Sequence, residues 1–281
     1  MRSYALQVRV ALLAVACGFL LWGFRELLFF QLPYIFRDPN EELSYGWYVP
    51  VFSLYVIWRE RKELVASLGE PEWGGLALAL PFLFLGFIGV RGIQVRFGIV
   101  AFIGLLLSVS WAFFGRATAK RVLFPCLFLL FCLPLANFLD VFTVHLRLLA
   151  TTAATSILRG LGLGIVSRGT AIYAGDGSFA IDIAAPCSGL RSIFALMALT
   201  AGYAYFNQPT WLRRVALFAL SVPLAVLGNV MRVVTICLVA AFASVDFATG
   251  FYHDYSGYIV FIVAIALMVL SGEVINWIAR K

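Results

Sequence analysis

The chain has 281 residues, 63% of them hydrophobic and only 12% charged, against roughly 25% charged in ordinary soluble domains. A soluble fold of this length would leave large apolar patches exposed to water, so the composition excludes that class and points to lipid as the solvent. The net charge of +7 does not signal nucleic acid, because the basic residues form no single stripe and sit mostly in short loops between apolar runs, as topology signals do.

About 20 apolar residues cross a bilayer as a helix. Such runs occur at about 10–32, 46–58, 74–90, 97–115, 122–139, 189–206, 214–243 and 257–279. They predict an all-α polytopic membrane protein of about eight transmembrane helices in a single domain, 1–281. The first run is interrupted by Arg25-Glu26 and has no small-residue cleavage site after it, so it reads as a retained helix. With both termini cytoplasmic, that side collects Arg2, Arg9, Arg59, Arg61, Lys62, Arg116, Lys120, Arg121, Arg213, Arg214, Arg280 and Lys281, which is twelve of the 21 basic residues. This is the orientation the positive-inside rule favours.

Three segments then face outward: 37–46, about 136–189, and 244–257. In the second, FLDVFTVHLRLLATTAATSILRGLG reads as a helix at or dipping into the interface, with Asp140, His145, Arg147 and Arg159 as its polar positions. GTAIYAGDGSFAIDIA follows, two short runs flanking Gly-Asp-Gly, which predicts a short extracytoplasmic β-hairpin before the next membrane helix.

Of the five cysteines, Cys17, Cys126, Cys132 and Cys237 lie inside apolar runs, where Cys acts as a small hydrophobe. With no CxxC pair and two histidines, a Cys/His zinc site is not expected, and no metal or organic cofactor is inferred. Cys187 differs. It sits in Ala-Ala-Pro-Cys-Ser-Gly-Leu-Arg directly before an apolar helix. Free amides and the positive end of the helix dipole favour a thiolate there.

Arg232 lies within PLAVLGNVMRVVTICLVAAFA. An arginine in such a helix costs a few kcal/mol to insert and marks a functional site, a partner or a snorkelling headgroup contact. Eighteen residues at ~1.5 Å each put it about 27 Å from Arg214, near the outer boundary. Asn229, three residues earlier, shares its face and is a candidate to orient it. His253, in GFYHDYSGY before the last helix, offers an imidazole suited to proton transfer, or belongs to the aromatic belt of Tyr252, Tyr255 and Tyr258. Asp254 is a candidate orienter of His253, and His145 is an alternative base. A thiol, a fixed cation and an imidazole on one membrane face make an inventory for acyl transfer.

At these motifs the sequence resembles the exosortase/archaeosortase family of membrane cysteine transpeptidases. APCSGLRS resembles the family's nucleophile motif, GNVMRV its arginine motif and FYHDYSGYIVF its histidine motif. ELSYGWYVPVFSLYVIWRERKEL resembles the early SHG-containing block, with Tyr45 where the family usually carries His, and RVLFPCLFLLFCLPL the Phe-Pro helix. The resemblance implies Cys187 as nucleophile, Arg232 as oxyanion-stabilising or substrate-positioning cation, and His253 as acid/base, with Arg191 in support; Asn229, Ser188 and Asp254 are further supporting candidates. The implied substrates are secreted proteins bearing a C-terminal tag: a short Pro-Glu-Pro-like motif, a transmembrane helix and a basic tail. Cleavage is implied at the outer face, with transfer to an acceptor whose identity is open, in a pathway that accompanies bacterial exopolysaccharide production. A pI near 9.3 fits a bacterial inner membrane better than a halophile. Membrane lipid is an expected partner and nucleic acid is not. A plain hydrolytic protease differs only in the fate of the thioester. A non-enzymatic transporter or assembly scaffold would use Arg232 structurally. A membrane acyltransferase would need a paired His and Asp or Asn motif that is missing.

Overall fold

The computed structural model of the chain describes residues 2–37, 43–135, 140–182 and 189–280. The helices are α1 (Arg2–Gly23), α2 (Leu32–Arg37), α3 (Tyr48–Arg59), α4 (Arg61–Ala66), α5 (Trp73–Arg91), α6 (Val95–Phe128), α7 (Asp140–Gly160), α8 (Leu190–Asn207), α9 (Trp211–Phe242), α10 (Val245–Phe247) and α11 (His253–Ile278). Strands β1 (Ile165–Arg168), β2 (Ala171–Ala174) and β3 (Ala180–Asp182) lie between α7 and α8. The chain forms two compact units, residues 1–135 and 136–281.

Helix α5 is inside out by the standards of a soluble protein. Its buried positions are Gly75, Gly86 and Gly89, while Leu80, Leu83, Phe84 and Phe87 are exposed. Helix α11 repeats the pattern, with Ser256, Ala264, Met268 and Gly272 buried and Tyr258, Ile262, Val263 and Leu270 outside. In lipid, apolar burial no longer drives helices together; small residues that let backbones approach do. A Cβ at Gly75 would overlap the Ala112 backbone, and one at Gly89 would lie 2.7 Å from the Gly98 nitrogen. This contact joins α5 to the first part of α6 along their whole length.

Five helical stretches are long and apolar enough to cross a membrane: Trp73–Arg91, Val95–Cys132, Val141–Gly160, Trp211–Phe242 and Val245–Ile278. A sixth arises if Gln7–Gly23 and Leu27–Arg37, bent by 62°, form one span. The second stretch is not straight. A straight helix would separate Arg96 from Pro134 by about 57 Å, yet Arg96 Nε donates to the Pro134 carbonyl at 2.7 Å. The reversal falls at Gly115, whose φ of +81° and ψ of 172° leave helical space. That stretch therefore holds two antiparallel legs, which separate where the runs 97–115 and 122–139 do.

Length and composition alone thus support fewer than the expected eight spans. Helix α3, in the run 46–58, has 12 residues, too few to cross unaided. Helix α8 matches the run 189–206 in place but carries Arg191 in its first turn and three tyrosine or asparagine positions near its end. The helix expected at the interface, α7, is itself long and apolar enough to cross. It packs lengthwise on α9, with Leu146 at the level of Ile193 and Ala225 and Ala150, Ala154 and Leu158 among Val230, Val233, Val234 and Cys237.

One end of the first unit is charged. Arg9 pairs with Glu70 and Arg121 with Glu63 at 2.6 Å. Glu72 accepts from Trp111 Nε1 at 2.7 Å and the Arg116 amide at 2.9 Å. These bonds, the Trp111 one foremost, hold the Glu72 carboxyl below the usual carboxylate range. At the other end, the Gly46 carbonyl accepts from Cys132 Sγ at 3.9 Å, and Tyr45 lies in a 3-10 turn, Ser44–Trp47.

In the second unit α9 is central, with α7, α8 and α11 packed around it. Strands β2 and β3 pair antiparallel across residues 175–179, and β1 adds on the far side of β2, giving the order β1-β2-β3. Ile165, Ile172, Phe179 and Ile181 from this sheet join the α7–α9 core.

Candidate active site

Helix α8 starts from Gly189, which holds φ at +79°. A left-handed residue at this point turns the incoming chain into the helix, and only glycine does so without strain. The position is also sterically closed: a Cβ would lie 2.8 Å from Asn229 Cγ. Asn229 is buried, 7% exposed, so the start of α8 rests on its amide. Cys187 and Ser188, the two residues before Gly189, lie outside the described residues.

Arg232 projects from α9 toward the start of α11. Its Nε donates to Ser256 Oγ at 3.2 Å and its Nη2 to the His253 carbonyl at 2.8 Å. Ser256 Oγ donates in turn to the same carbonyl at 3.2 Å. Ser256 is buried, 1% exposed, and with the half-buried Arg232 it completes a triangle of hydrogen bonds on that carbonyl. Gly257 lets the guanidinium approach, since a Cβ there would lie 3.4 Å from Arg232 Cζ. A cation within an apolar helix is tolerated where its donors are met. Here α11 meets two of them.

His253 opens α11 after a π-turn, Ala248–Tyr252, that is broken at Gly250. Its Nδ1 lies 3.5 Å from Asp254 Oδ1, and Asp254 is largely exposed. That distance is at the far limit of a hydrogen bond, in keeping with the divergence of adjacent side chains on a helix. Arg191 lies exposed in the first turn of α8. His145 is exposed and bonds the Val141 carbonyl of its own helix at 2.7 Å; among the described residues it has no bond to Arg232 or His253.

Between α8, α9 and α11 lies a cleft of about 300 Å³, open mouth included. Ser192, Asn229 and Arg232 make its polar lining, and Leu196, Ala225 and Ala264 lie on its apolar walls. Among the described residues no group of histidine, cysteine and carboxylate side chains is placed to hold a metal ion.

Sequence reasoning expected Arg232 and His253 at one membrane face; in the structure the Arg232 guanidinium bonds the main-chain carbonyl of His253. Asn229, a candidate to orient Arg232, lies against Gly189, and the described bonds of Arg232 go to α11. Ser256 and Gly257 were missed. A hydroxyl and a glycine side by side at the start of an apolar helix, three and four residues past His253, were the available signal.

Fold and site together define a multi-pass helical membrane protein in which an arginine of one helix bonds the main-chain carbonyl of a histidine at the start of its neighbour, near a glycine-capped helix start. A family model described as transmembrane exosortase (Exosortase_EpsH) matches residues 37–270. The match covers most of the chain, which therefore belongs to the transmembrane exosortase family. Comparison with curated proteins gave no match, and neither did comparison with solved structures.

Proposed function

We propose that this exosortase is a cysteine transpeptidase or peptidase that cleaves C-terminal sorting tags of secreted proteins through a Cys187 thioester. The observation that carries the reading is the bond from Arg232 to the main-chain carbonyl of His253, made from the helix whose Asn229 lies against Gly189, two residues downstream of Cys187.

In the proposed reaction the Cys187 thiolate attacks the scissile carbonyl carbon, and Arg232 faces the developing oxyanion. The C–N bond breaks as His253 gives its proton to the leaving amine, which departs with the tag helix. An acceptor amine or water then attacks the thioester, His253 takes its proton, and the thiolate is released. The end of the first unit that bears Arg9, Arg121 and Arg116 is assigned to the cytoplasm of a bacterial inner membrane, both termini lie there, and the reaction runs on the outer face.

Replacing Cys187 with alanine while following a co-expressed tagged protein tests the reading. Processing should stop with the variant still in the membrane, and continued processing rules out this nucleophile. The same test answers a second reading. Because both described bonds of Arg232 run to α11, they also suit a helix-to-helix staple in a non-enzymatic transporter or scaffold, for which Cys187 is dispensable.

A further inference from the structure

The small sheet has two edges, and they differ. Ala174 N–H donates to the Phe179 carbonyl at 3.0 Å, so with the observed register Ile172–Ile181 is the next bonded pair and Ala180 and Asp182 turn their N–H and C=O groups away from β2. The same alternation makes Ile165 point outward on β1, and its carbonyl is indeed taken by Arg159 Nε of α7 at 2.7 Å. One edge is thus closed by α7. On the other, the backbone groups of Ala180 and Asp182 have no partner among the described residues.

That second edge is short and carries the charge of Asp182, but lacks the stronger protections. It has no lysine, no proline and no bulge. Ala180 is small, and the Asp182 carboxylate is drawn back toward β2 by the Thr170 hydroxyl, which donates to it at 2.7 Å. Two donors and two acceptors in a row, about 7 Å from one pair to the next, match one chemistry only, an extended polypeptide backbone. The strand that carries them leads in five residues to Cys187.

We infer that β3 binds the substrate's recognition segment as a fourth strand, through the outward backbone groups of Ala180 and Asp182. This rests on the peptide-cleaving reading above and names its binding step. A Pro-x-Pro stretch suits such an edge. Prolines two apart lie on one side of a strand, so both can face solvent, where their missing N–H groups cost nothing. The residue between them then offers its N–H and C=O to β3. Strand addition of this kind takes affinity from the main chain.

The test uses the full-length Cys187→Ala protein in detergent and a fluorescent synthetic peptide, Pro-Glu-Pro followed by an apolar segment, with Kd as the readout. Ala180→Pro removes an outward donor without touching the β2 pairing, whose N–H groups belong to Ile181. It should weaken binding at least tenfold while leaving the thermal midpoint in place. N-methylating the peptide's Glu should weaken binding to the unaltered strand by a similar factor. An unchanged Kd in either arm overturns the inference; if Ala180→Pro does not fold, the peptide arm alone decides. Peptide binding with these losses, but an uncleaved tagged protein in the presence of the native Cys187, would overturn the cleavage reading and leave the strand in place.

Discussion

Replacing Arg232 with lysine keeps the charge and removes the fork. The guanidinium holds two acceptors on α11 at once, Ser256 Oγ at 3.2 Å and the His253 carbonyl at 2.8 Å. A lysine ammonium on a flexible stem cannot reproduce that planar pair. A hydrogen bond to a charged group contributes about 1.5–3 kcal/mol, so losing one of the two costs roughly a 10- to 150-fold factor, at about 1.4 kcal/mol per decade. Membranes carrying Arg232→Lys should therefore process a tagged substrate roughly 10- to 150-fold more slowly at equal protein level. Ser256→Ala removes the buried hydroxyl that bridges Nε to the same carbonyl. It should slow processing about tenfold, and Ser256→Thr should restore most of the rate. A stapling role alone would instead lower the thermal midpoint of both variants in detergent while sparing the rate. Wild-type rates in Arg232→Lys and Ser256→Ala together would refute the positioning argument.

Other expectations follow from single contacts. Gly189→Ala introduces a Cβ 2.8 Å from Asn229 Cγ at a φ of +79°. A left-handed non-glycine residue costs roughly 1–2 kcal/mol before any overlap, so processing should fall at least tenfold, and an unchanged rate would contradict the observed start of α8. Gly75→Val drives a side chain into the Ala112 backbone and should lower the thermal midpoint in detergent, whereas Leu80→Val, on the exposed face of the same helix, should not. The depressed Glu72 carboxyl contributes stability that is present above its unfolded pKa, near 4.3, and is lost as pH falls through the lower folded value. The difference in midpoint between wild type and Glu72→Gln should therefore shrink below about pH 4; a difference that stays constant from pH 6 to pH 3 would contradict the Trp111 and Arg116 bonds.

Much of this architecture was legible residue by residue. The exposed Leu and Phe face of α5 follows from an apolar run, and the break between the runs 97–115 and 122–139 coincides with Gly115. Arg232 was expected within one long apolar helix, and α9 runs from Trp211 to Phe242. Partners between helices were not legible. Arg232 and Ser256 are 24 residues apart, and nothing local marks which turn of α11 faces α9. The rotation of each helix is set by where small residues allow contact. The same limit explains α7, whose polar positions suggested an interface but whose alanines at 150 and 154 let it lie along α9.

By itself the sequence determined the solvent, the helical class, the family and the chemical inventory, because hydropathy, charge and motif are properties of residues and their near neighbours. Only the tertiary structure decided that α11 holds Arg232, that Asn229 lies against Gly189, that the chain turns back at Gly115, and that one sheet edge is closed by Arg159 while the other has no backbone partner among the described residues. Each of these depends on how far a helix is turned about its axis or which strand lies outermost, and that is settled by packing between segments distant in the chain.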